Sequence, residues 1–319
     1  MASSRQLKTK IRAVGNIKQI TKAMQMVAAT KMRRAQEAAL HARPYAKKAF
    51  SLLLHLLQYA KVEGISGIYF GNGGRAAIAP AFGKVALVVV TSDKGLAGSF
   101  NSAVLRLANR WREEMEQEGK QVEIVAVGKK GKDFLRARGA VIAAEFFRFS
   151  DIAMLSDIMP LMEWIGRAYD ENRYEKIVCC SMHFISALIQ RPAIHQILPL
   201  EKEGLESIIE SIVPKTGRYS ELVKQEKKDQ GSVSYLLEPS AKEILEQLMR
   251  DLIRVLIVHL VFESNASEHS ARMIAMKNAS ENAEELMRVL NLQWNKARQA
   301  AITQELAEIS TAKEALTAE

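Results

Sequence analysis

The stretch ITKAMQMVAATKMRRAQEAA, residues 20–39, lies at the core of a segment from Leu7 to about Ala60 that decides the fold. The segment has no Gly after Gly15 and only one Pro, Pro44. Apolar or small residues recur along it every seven positions, at Leu7, Val14, Thr21, Ala28, Ala35 and Ala42. A stripe with this period is typical of a helix that packs against a partner helix. The sequence therefore predicts a long N-terminal helix.

The same segment carries the positive charge of the chain. Between Met1 and Lys48 there are twelve Lys or Arg residues and one acid, Glu37, whereas the whole chain has a net charge of only +9. Charge that is concentrated on one helix favours an acidic partner facing that helix. A helix face that is merely solvated is the alternative.

The composition indicates a soluble, folded protein, with 48% hydrophobic and 25% charged residues among 319. No run reaches the ~18 apolar residues of a membrane span, since Leu252–Phe262 is interrupted by Arg254 and His259. The N-terminus lacks the apolar core of a signal peptide. Adjacent Cys179 and Cys180 lie in an apolar run, which predicts a buried strand in a reducing compartment rather than a redox or metal site.

The central part of the chain alternates short apolar runs with helical stretches. Strands are expected at Val85–Val90, Val122–Val127, Ala140–Phe146 and Lys176–Met182, with a candidate edge strand at Ala193–Leu198. Helices are expected at about Asn101–Gln117, Lys132–Arg138 and Leu155–Asn172. Strands without polar alternation, separated by helices, imply a largely parallel sheet that is covered on both faces.

A second seam runs along the C-terminal segment, which begins after a capping box at Ser240 and Glu243. Steps of four and three residues meet Leu248, Leu252, Val255, His259, Phe262, Ala266, His269, Met273, Met276, Ser280, Ala283, Met287, Leu290, Trp294, Ala297 and Ala301. A helix of this span is about 80 Å long, so it must project from any compact domain. The two long helices leave opposite ends of the central domain, so side-by-side pairing makes them antiparallel, with the last ~20 residues extending beyond the first helix.

These features predict an α/β protein: a long antiparallel coiled coil of the N- and C-terminal helices plus a central Rossmann-like doubly wound α/β domain. The expected segments are a coiled-coil helix at 1–63, a linker at 64–83, the α/β foot domain at 84–200, a charged excursion and foot segment at 201–238, and a coiled-coil helix at 239–319.

Four stretches resemble, in order, the gamma-subunit family of the F-type ATP synthase. They are ITKAMQMVAATKMRRAQ, TSDKGLAGSFN, ASEHSARMIAMKNASENA and NKARQAAITQELAEI. The resemblance implies a rotor shaft inside a hexamer of alternating alpha and beta subunits, with a foot on the epsilon subunit and the membrane c ring. Proton flow would turn ring and shaft together. The shaft would thereby couple proton flow to ATP synthesis or hydrolysis in the beta subunits and would regulate ATPase activity and proton flow. The chain itself would be non-catalytic, without cofactor or metal, and peripheral on the cytoplasmic face of a bacterial inner membrane.

The resemblance also implies which residues contact partners. Lys22, Met24, Lys31, Arg33 and Arg34 match positions that pass acidic lever loops of the beta subunits, and Arg298, Gln299, Thr303 and Glu305 match positions at catch loops of the hexamer. Glu268 and Arg272 match a polar cluster that supports the shaft, and Tyr235 and Glu238 match the region that meets the c ring and epsilon. Leu237, where relatives carry an aromatic residue, departs from this last pattern.

Each assignment has a simpler alternative. Met24 is also suited to seam packing, because Met fills irregular gaps, and Arg298 to a solvated helix charge. His259 and His269 lie on the seam and are expected to be interface residues rather than metal ligands, since no nearby ligand pattern accompanies them.

Two other functions are weighed against the rotor. An enzyme on the α/β domain would need a phosphate-binding loop, but neither SDKGLAG nor GKKGKDF has the spacing of a dinucleotide fingerprint or a P-loop. A nucleic-acid or scaffold protein would use the basic helix, but no aromatic residue accompanies its charges before Tyr45, so bases have no stacking platform.

Overall fold

The computed structural model describes residues 4–62, 83–149, 153–200 and 241–317. Its elements in chain order are α1 (Ser4–Val62), β1 (Lys84–Val90), α2 (Phe100–Gln117), β2 (Gln121–Val127), α3 (Lys129–Arg136), β3 (Val141–Phe146), α4 (Leu155–Asp170), β4 (Lys176–Phe184), β5 (Gln190–Leu198) and α5 (Ala241–Thr317). All expected strands and helices of the central domain are present, and α3 begins three residues earlier than expected. Most of the linker and the charged excursion lie outside the described residues.

The chain divides into two compact units. Met1–Ala28 and Arg272–Glu319 form one, called here the helical unit, and Ala29–Ala271 form the other, called here the sheet unit. Both long helices contribute to both units, because α1 crosses the boundary at residue 28 and α5 crosses it at residue 271.

The sheet unit contains a five-stranded mixed sheet in the order β3-β2-β1-β4-β5. Strand β1 pairs in parallel with β2 and β4, and β2 pairs in parallel with β3. Only β5 is antiparallel, at the edge beside β4. The expectation of a largely parallel sheet therefore agrees with the pairing, and the candidate edge strand is confirmed.

Helices cover both faces of this sheet. Successive residues of a strand point to opposite faces, so Ala86, Val88 and Val90 of β1 join one core and Val85, Leu87 and Val89 join the other. The first core is closed by α4 and the early part of α5, and the second by α2 and α3. Burial on both faces explains why β1 and β4 read as unbroken apolar runs.

The apolar stripe of α5 packs against two kinds of neighbour. All its predicted positions from Leu248 to Ala297 are buried or half-buried, and Ala301 is exposed. The early part does not pack on a helix alone, as the heptad pattern implied. It enters the sheet core through Met249, Leu252, Ile253, Leu256, Ile257, Leu260 and Val261. A heptad pattern cannot distinguish these neighbours, because both require one apolar helix face.

Gly128 sits where the chain passes from β2 into α3 and approaches Thr91 closely. Its φ is 91°, a conformation that favours glycine. A Cβ at this position would lie 2.2 Å from the Thr91 carbonyl oxygen. Thr91 also ties β1 to this turn, since its hydroxyl donates to the Val127 carbonyl oxygen at 2.9 Å and accepts from the Gly131 N–H at 2.9 Å.

A polar cluster is buried where α5 crosses β4 and β5. Glu263 is 2% exposed and His259 is 1% exposed. His183 Nδ1 lies 2.7 Å from Glu263 Oε2, and His259 Nε2 lies 3.3 Å from Glu263 Oε1, an electrostatic contact rather than a well-directed hydrogen bond. Burial alone would raise the pKa of Glu263, but the two histidines together hold it well below its usual range. The carboxylate is therefore ionised at neutral pH.

His195 on β5 lies in the same region and is kept neutral. Its pKa is lowered from 6.5 to about 4, mainly by burial and secondly by the charge of His183, while Glu263 acts in the opposite direction. Below pH 6.5 the unfolded chain therefore binds a proton at this position that the folded chain does not.

We predict that Gly128→Ala destabilises the sheet unit by about 3 kcal/mol or more, because it adds backbone strain to a direct clash. Gly139→Ala is the matched control: its φ is 72°, but a Cβ would meet nothing within 4 Å. The control should lose only about 1 kcal/mol. Equal losses for the two variants in urea unfolding followed by circular dichroism would contradict the argument.

We predict that His195 makes folding stability fall as pH decreases from about 6.5 to about 4. One proton taken up only by the unfolded state gives a slope of up to about 1.4 kcal/mol per pH unit. His195→Gln should reduce the slope by that amount in urea titrations across this range. Ile194→Val, which removes a methylene from the same strand, should lower stability without altering the slope. An unchanged slope in the Gln variant would refute the assignment.

Candidate protein-interaction surface

Within the helical unit, α1 and α5 lie side by side and run antiparallel. Lys18 Nζ lies 2.9 Å from Glu284 Oε1. A Cβ on Gly15 would lie 3.8 Å from Cε of Met287. From Lys18 to Gly15 the chain of α1 goes back by three residues, and the contacted residue on α5 advances by three, from Glu284 to Met287.

The facing sides of these two segments are lined mostly by small or apolar residues. Leu7, Thr21 and Ala28 are buried on α1, and Met276, Ser280, Ala283 and Leu290 are buried on α5. The Thr21 hydroxyl donates to the Ile17 carbonyl oxygen at 2.9 Å, so this polar group is satisfied. The seven-residue stripe thus marks the buried side of α1, as expected, while Ala42 lies outside the residues whose side chains are described.

The outward side of the helical unit combines apolar side chains with positive charge. Exposed large apolar residues are Ile17, Ile20, Met26 and Val27 on α1, and Leu286, Val289, Leu292, Ile302, Leu306 and Ile309 on α5. Lys22 is exposed on the same turns of α1 as these apolar residues, and Lys10 and Arg5 are exposed on preceding turns. Exposed apolar side chains that recur along one surface mark a protein-interaction site.

Sequence reasoning did not identify these apolar residues as part of the surface. The signal was available, because Ile17, Ile20 and Val27 fall off the seven-residue stripe of a helix. On a helix with one partner, apolar residues off the stripe must face solvent or a second partner.

The predicted contact residues of α1 fall in both units. Lys22 is exposed and Met24 is half-buried in the helical unit. Lys31 is half-buried and Arg33 and Arg34 are exposed in the sheet unit. Arg33 Nε lies 3.4 Å from Glu37 Oε1, an exposed pair that leaves the positive charge of this turn in excess.

The predicted contact residues of late α5 are all at the surface. Arg298, Gln299, Thr303 and Glu305 are exposed. The Arg298 guanidinium lies 5.1 Å from the centre of the Trp294 ring. The Thr303 hydroxyl donates to the Gln299 carbonyl oxygen at 2.9 Å.

Two of the remaining predicted residues lie on α5, one on each side of the boundary between the units. Glu268 is half-buried in the sheet unit, and Arg272 is half-buried in the helical unit. Tyr235 and Glu238 lie outside the described residues.

The crevice at the carboxyl ends of the parallel strands is occupied by the chain itself. Doubly wound sheets bind ligands at this edge, often with an anion on a helix N-terminus. Here the Asp93 carboxylate accepts from the Lys129 N–H, the first of α3, at 2.9 Å and from the Arg148 N–H at 2.7 Å. Ser92 and Asn101 fix the loop, with the Ser92 N–H donating to Asn101 Oδ1 at 3.0 Å. TSDKGLAGSFN is thus a self-filled loop, which argues against nucleotide binding at this edge.

An open cleft of about 430 Å³ lies at the opposite ends of the strands and is lined by Lys84, Glu123, Ala143, Trp164, Arg173 and Tyr174. Its polar groups satisfy one another. The Tyr174 hydroxyl donates to Glu123 Oε2 at 2.7 Å, and Lys84 Nζ lies 3.3 Å from Glu123 Oε1. Burial and this carboxylate raise the pKa of Tyr174. The cleft therefore offers no poised catalytic group.

The described parts of the chain contain neither a candidate metal centre nor a candidate membrane-spanning helix. No group of three or more His, Cys, Asp or Glu side chains there has the arrangement of a metal site. No helix among those residues has the length and apolar character needed to cross a membrane. Cys179 and Cys180 are buried free thiols, and burial raises the pKa of Cys179 to about 12.

Known proteins resemble this chain along almost its whole length. A family model described as ATP synthase matches residues 3–316. The ATP synthase gamma chain of Chloroflexus aurantiacus (strain J-10-fl) is 38% identical over 317 residues, covering 99% of this chain and 100% of that protein. The gamma chain of Roseiflexus sp. (strain RS-1) is 36% identical over 318 residues, covering 99% of both.

Solved structures share the fold. A chain in the Euglena gracilis mitochondrial ATP synthase structure with OSCP, F1 and c-ring matches with a TM-score of 0.59 at 18% identity, over 99% of this chain and 95% of that chain. A chain in the Tetrahymena thermophila central stalk and c-ring structure matches with a TM-score of 0.56 at 21% identity, over 82% and 99%. The match to gamma chains over nearly the full length, together with the fold shared with these solved structures, leads to one conclusion: this chain belongs to the ATP synthase gamma-chain family.

Proposed function

We propose that this chain is the rotor shaft that couples proton flow through a membrane c ring to ATP synthesis or hydrolysis at beta subunits. In this role it is non-catalytic and binds no cofactor. By controlling when each beta subunit opens and closes, it regulates ATPase activity and proton flow. The observation that carries the proposal is the outward side of the helical unit, where exposed apolar side chains lie along two adjacent helices and positive charge accompanies those of α1.

The architecture suits this role in two respects. We propose that the antiparallel segments of α1 and α5 form a coiled coil that stands inside the hexamer of alpha and beta subunits. The small residues of their buried side, among them Ala28 and Ala283, let the helices approach closely and keep the shaft thin. We propose that the sheet unit is a doubly wound foot domain that meets the c ring and the epsilon subunit.

The charges of α1 supply a partner surface. Lys22, Arg33 and Arg34 are exposed, and we propose that their charges attract acidic lever loops of beta subunits as these pass. Lys31 and Met24 are half-buried, and we assign them to the margin of that contact. Long-range attraction without fixed pairing suits a surface that meets three copies of the partner in turn, because it does not demand one docking geometry.

The end of α5 is proposed to turn within the hexamer. Arg298, Gln299, Thr303 and Glu305 lie among exposed residues that run from 298 to 311. Polar side chains here would form transient hydrogen bonds with catch loops. Tyr235 and Glu238 are proposed for the c ring and epsilon contact, and Glu268 and Arg272 for support of the shaft.

The complex would place this chain peripherally at the cytoplasmic face of a bacterial inner membrane. Purification of the native complex tests the proposal most directly. We expect one copy of this chain to co-elute with three alpha and three beta subunits. If the chain elutes without them, or binds DNA at physiological salt more tightly than it binds the hexamer, the rotor function is wrong.

We predict that Arg33→Glu with Arg34→Glu leaves assembly intact but lowers ATP-driven proton pumping several-fold in reconstituted vesicles. The change replaces attraction towards acidic loops by repulsion, whereas the new repulsion between positions 33 and 37 costs only about 0.2–0.5 kcal/mol.

The matched control is Arg106→Glu with Arg110→Glu on α2. Both residues are exposed in the sheet unit, and the change in net charge is identical. Pumping should be unaffected in this control. Undiminished pumping in the α1 variant, or an equal loss in both variants, would refute the assignment.

A further inference from the structure

The early part of α5 packs on the sheet through a surface that repeats every four residues. Suppose the helix slides along its axis so that each residue moves to the place now held by the residue four positions later. Met249 then takes the place of Ile253, and Leu252 takes the place of Leu256. In the same way Leu245 moves to the place of Met249, Leu248 to that of Leu252, Ile253 to that of Ile257, Leu256 to that of Leu260 and Ile257 to that of Val261. Every place is refilled by an apolar side chain. The apolar packing alone therefore discriminates poorly between these two registers.

The buried polar cluster is not repeated in this way. After the same slide, His259 would occupy the place of Glu263, and His183 would face another histidine instead of a carboxylate. Glu263 would occupy the place of Ser267, whose hydroxyl donates to the Met182 carbonyl oxygen at 3.5 Å. A carboxylate only accepts hydrogen bonds, so it would be buried against another acceptor. A buried charge without its partner is strongly unfavourable.

Two more polar contacts mark the native register on the same side of α5. The Ser270 hydroxyl donates to the Ala187 carbonyl oxygen at 2.5 Å. Gln190 Nε2 donates to Ser270 Oγ at 3.3 Å. Both contacts involve the β4–β5 hairpin and lie one to two turns after Glu263. The titratable groups that face Glu263 are His259 on α5, His183 on β4 and the neutral His195 on β5, with exposed Arg191 opposite His183 in the strand register.

We propose that Glu263 is a positioning residue which, through its contact with His183 of β4, fixes the register of α5 on the sheet. Single buried polar groups set register in helical assemblies in this way, at some cost in stability. The functional consequence rests on the proposed rotor function: the cluster keeps α5 from sliding when torque passes between foot and shaft.

Spin-label distances in the full chain measure the register directly. Arg250 Nη2 lies 3.5 Å from Asp170 Oδ2 at the end of α4, and Ser270 contacts Ala187 in the turn between β4 and β5. The helix α5 therefore runs from one end of the strands to the other. Labels are placed at Arg254→Cys and, in separate samples, at Glu171→Cys or Leu188→Cys, all exposed positions. The native thiols are buried. A slide of four residues moves the helix by about 6 Å, lengthening the distance to position 171 and shortening the distance to 188.

The decisive variant replaces the cluster with apolar residues: Glu263→Met, His183→Leu and His259→Leu. It should fold, because apolar replacement of a buried ionic cluster is commonly neutral or stabilising. Both distance distributions should gain a second component displaced by up to about 6 Å in opposite directions. Single distributions at the parental distances would overturn the proposal. So would failure to fold, because that would make the cluster a requirement of the fold rather than a selector of register.

Two controls separate register from packing. Glu263→Gln keeps an acceptor for His183 and should retain the parental distances. Ile257→Leu alters the apolar row while leaving the cluster intact and should also retain them. A displaced component in the Leu control would show that packing, not the cluster, sets the register, and would overturn the proposal.

The functional consequence is tested in the assembled complex. The apolar variant should hydrolyse ATP but lose protons pumped per ATP, whereas Glu263→Gln should retain coupling. Undiminished coupling in a variant whose register is mixed would overturn the role in torque transmission. If the parental chain fails to assemble with the hexamer, the rotor function fails, while the distance measurements on the isolated full chain still decide the register.

Discussion

The structure depends on the burial of one continuous stripe along α5. A helix of 77 residues cannot persist in water through its own hydrogen bonds alone, because most helical stability in proteins comes from packing of an apolar face. The stripe of α5 is covered from residue 248 to residue 297. In the sheet unit the cover is a β-sheet with α4, and in the helical unit it is α1. One helix therefore belongs to two differently built units.

The change of neighbour is accompanied by a change of chemistry. Against the sheet, α5 presents large aliphatic side chains as far as Val261, with His259 as the one buried polar residue among them, and then the buried polar residues Glu263, Ser264, Ser267, His269 and Ser270. In the helical unit it presents Met276, Ser280 and Ala283 towards α1. Large aliphatic groups give strong but non-directional attraction, whereas the polar groups give direction. The polar residues between 263 and 270 thus determine how α5 is oriented on the sheet, whereas the apolar rows give non-directional attraction.

Much of this architecture could be predicted from the sequence, because periodicity reports burial. The stripe of Leu7, Thr21 and Ala28 and the strand runs of the central domain were both legible as buried faces. The sequence pattern did not reveal which element covers each buried face. For this reason the early part of α5 was expected to pack on a helix, whereas it packs on a sheet. Asp93 and Glu263 were also missed as organising residues. Lys129 lies 36 residues from Asp93, and His183 lies 80 residues from Glu263, and no local pattern records such contacts.

Asp93 has a consequence for how the domain responds to its surroundings. Related folds hold a diffusible anion at this edge of the sheet, and their loops are ordered or released as its concentration changes. Here the anion is covalently part of the loop, and its carboxylate receives two backbone N–H groups. A tethered group has an effective concentration set by the chain rather than by the solution. The geometry of this edge is therefore insulated from the concentrations of free anions such as ATP and phosphate.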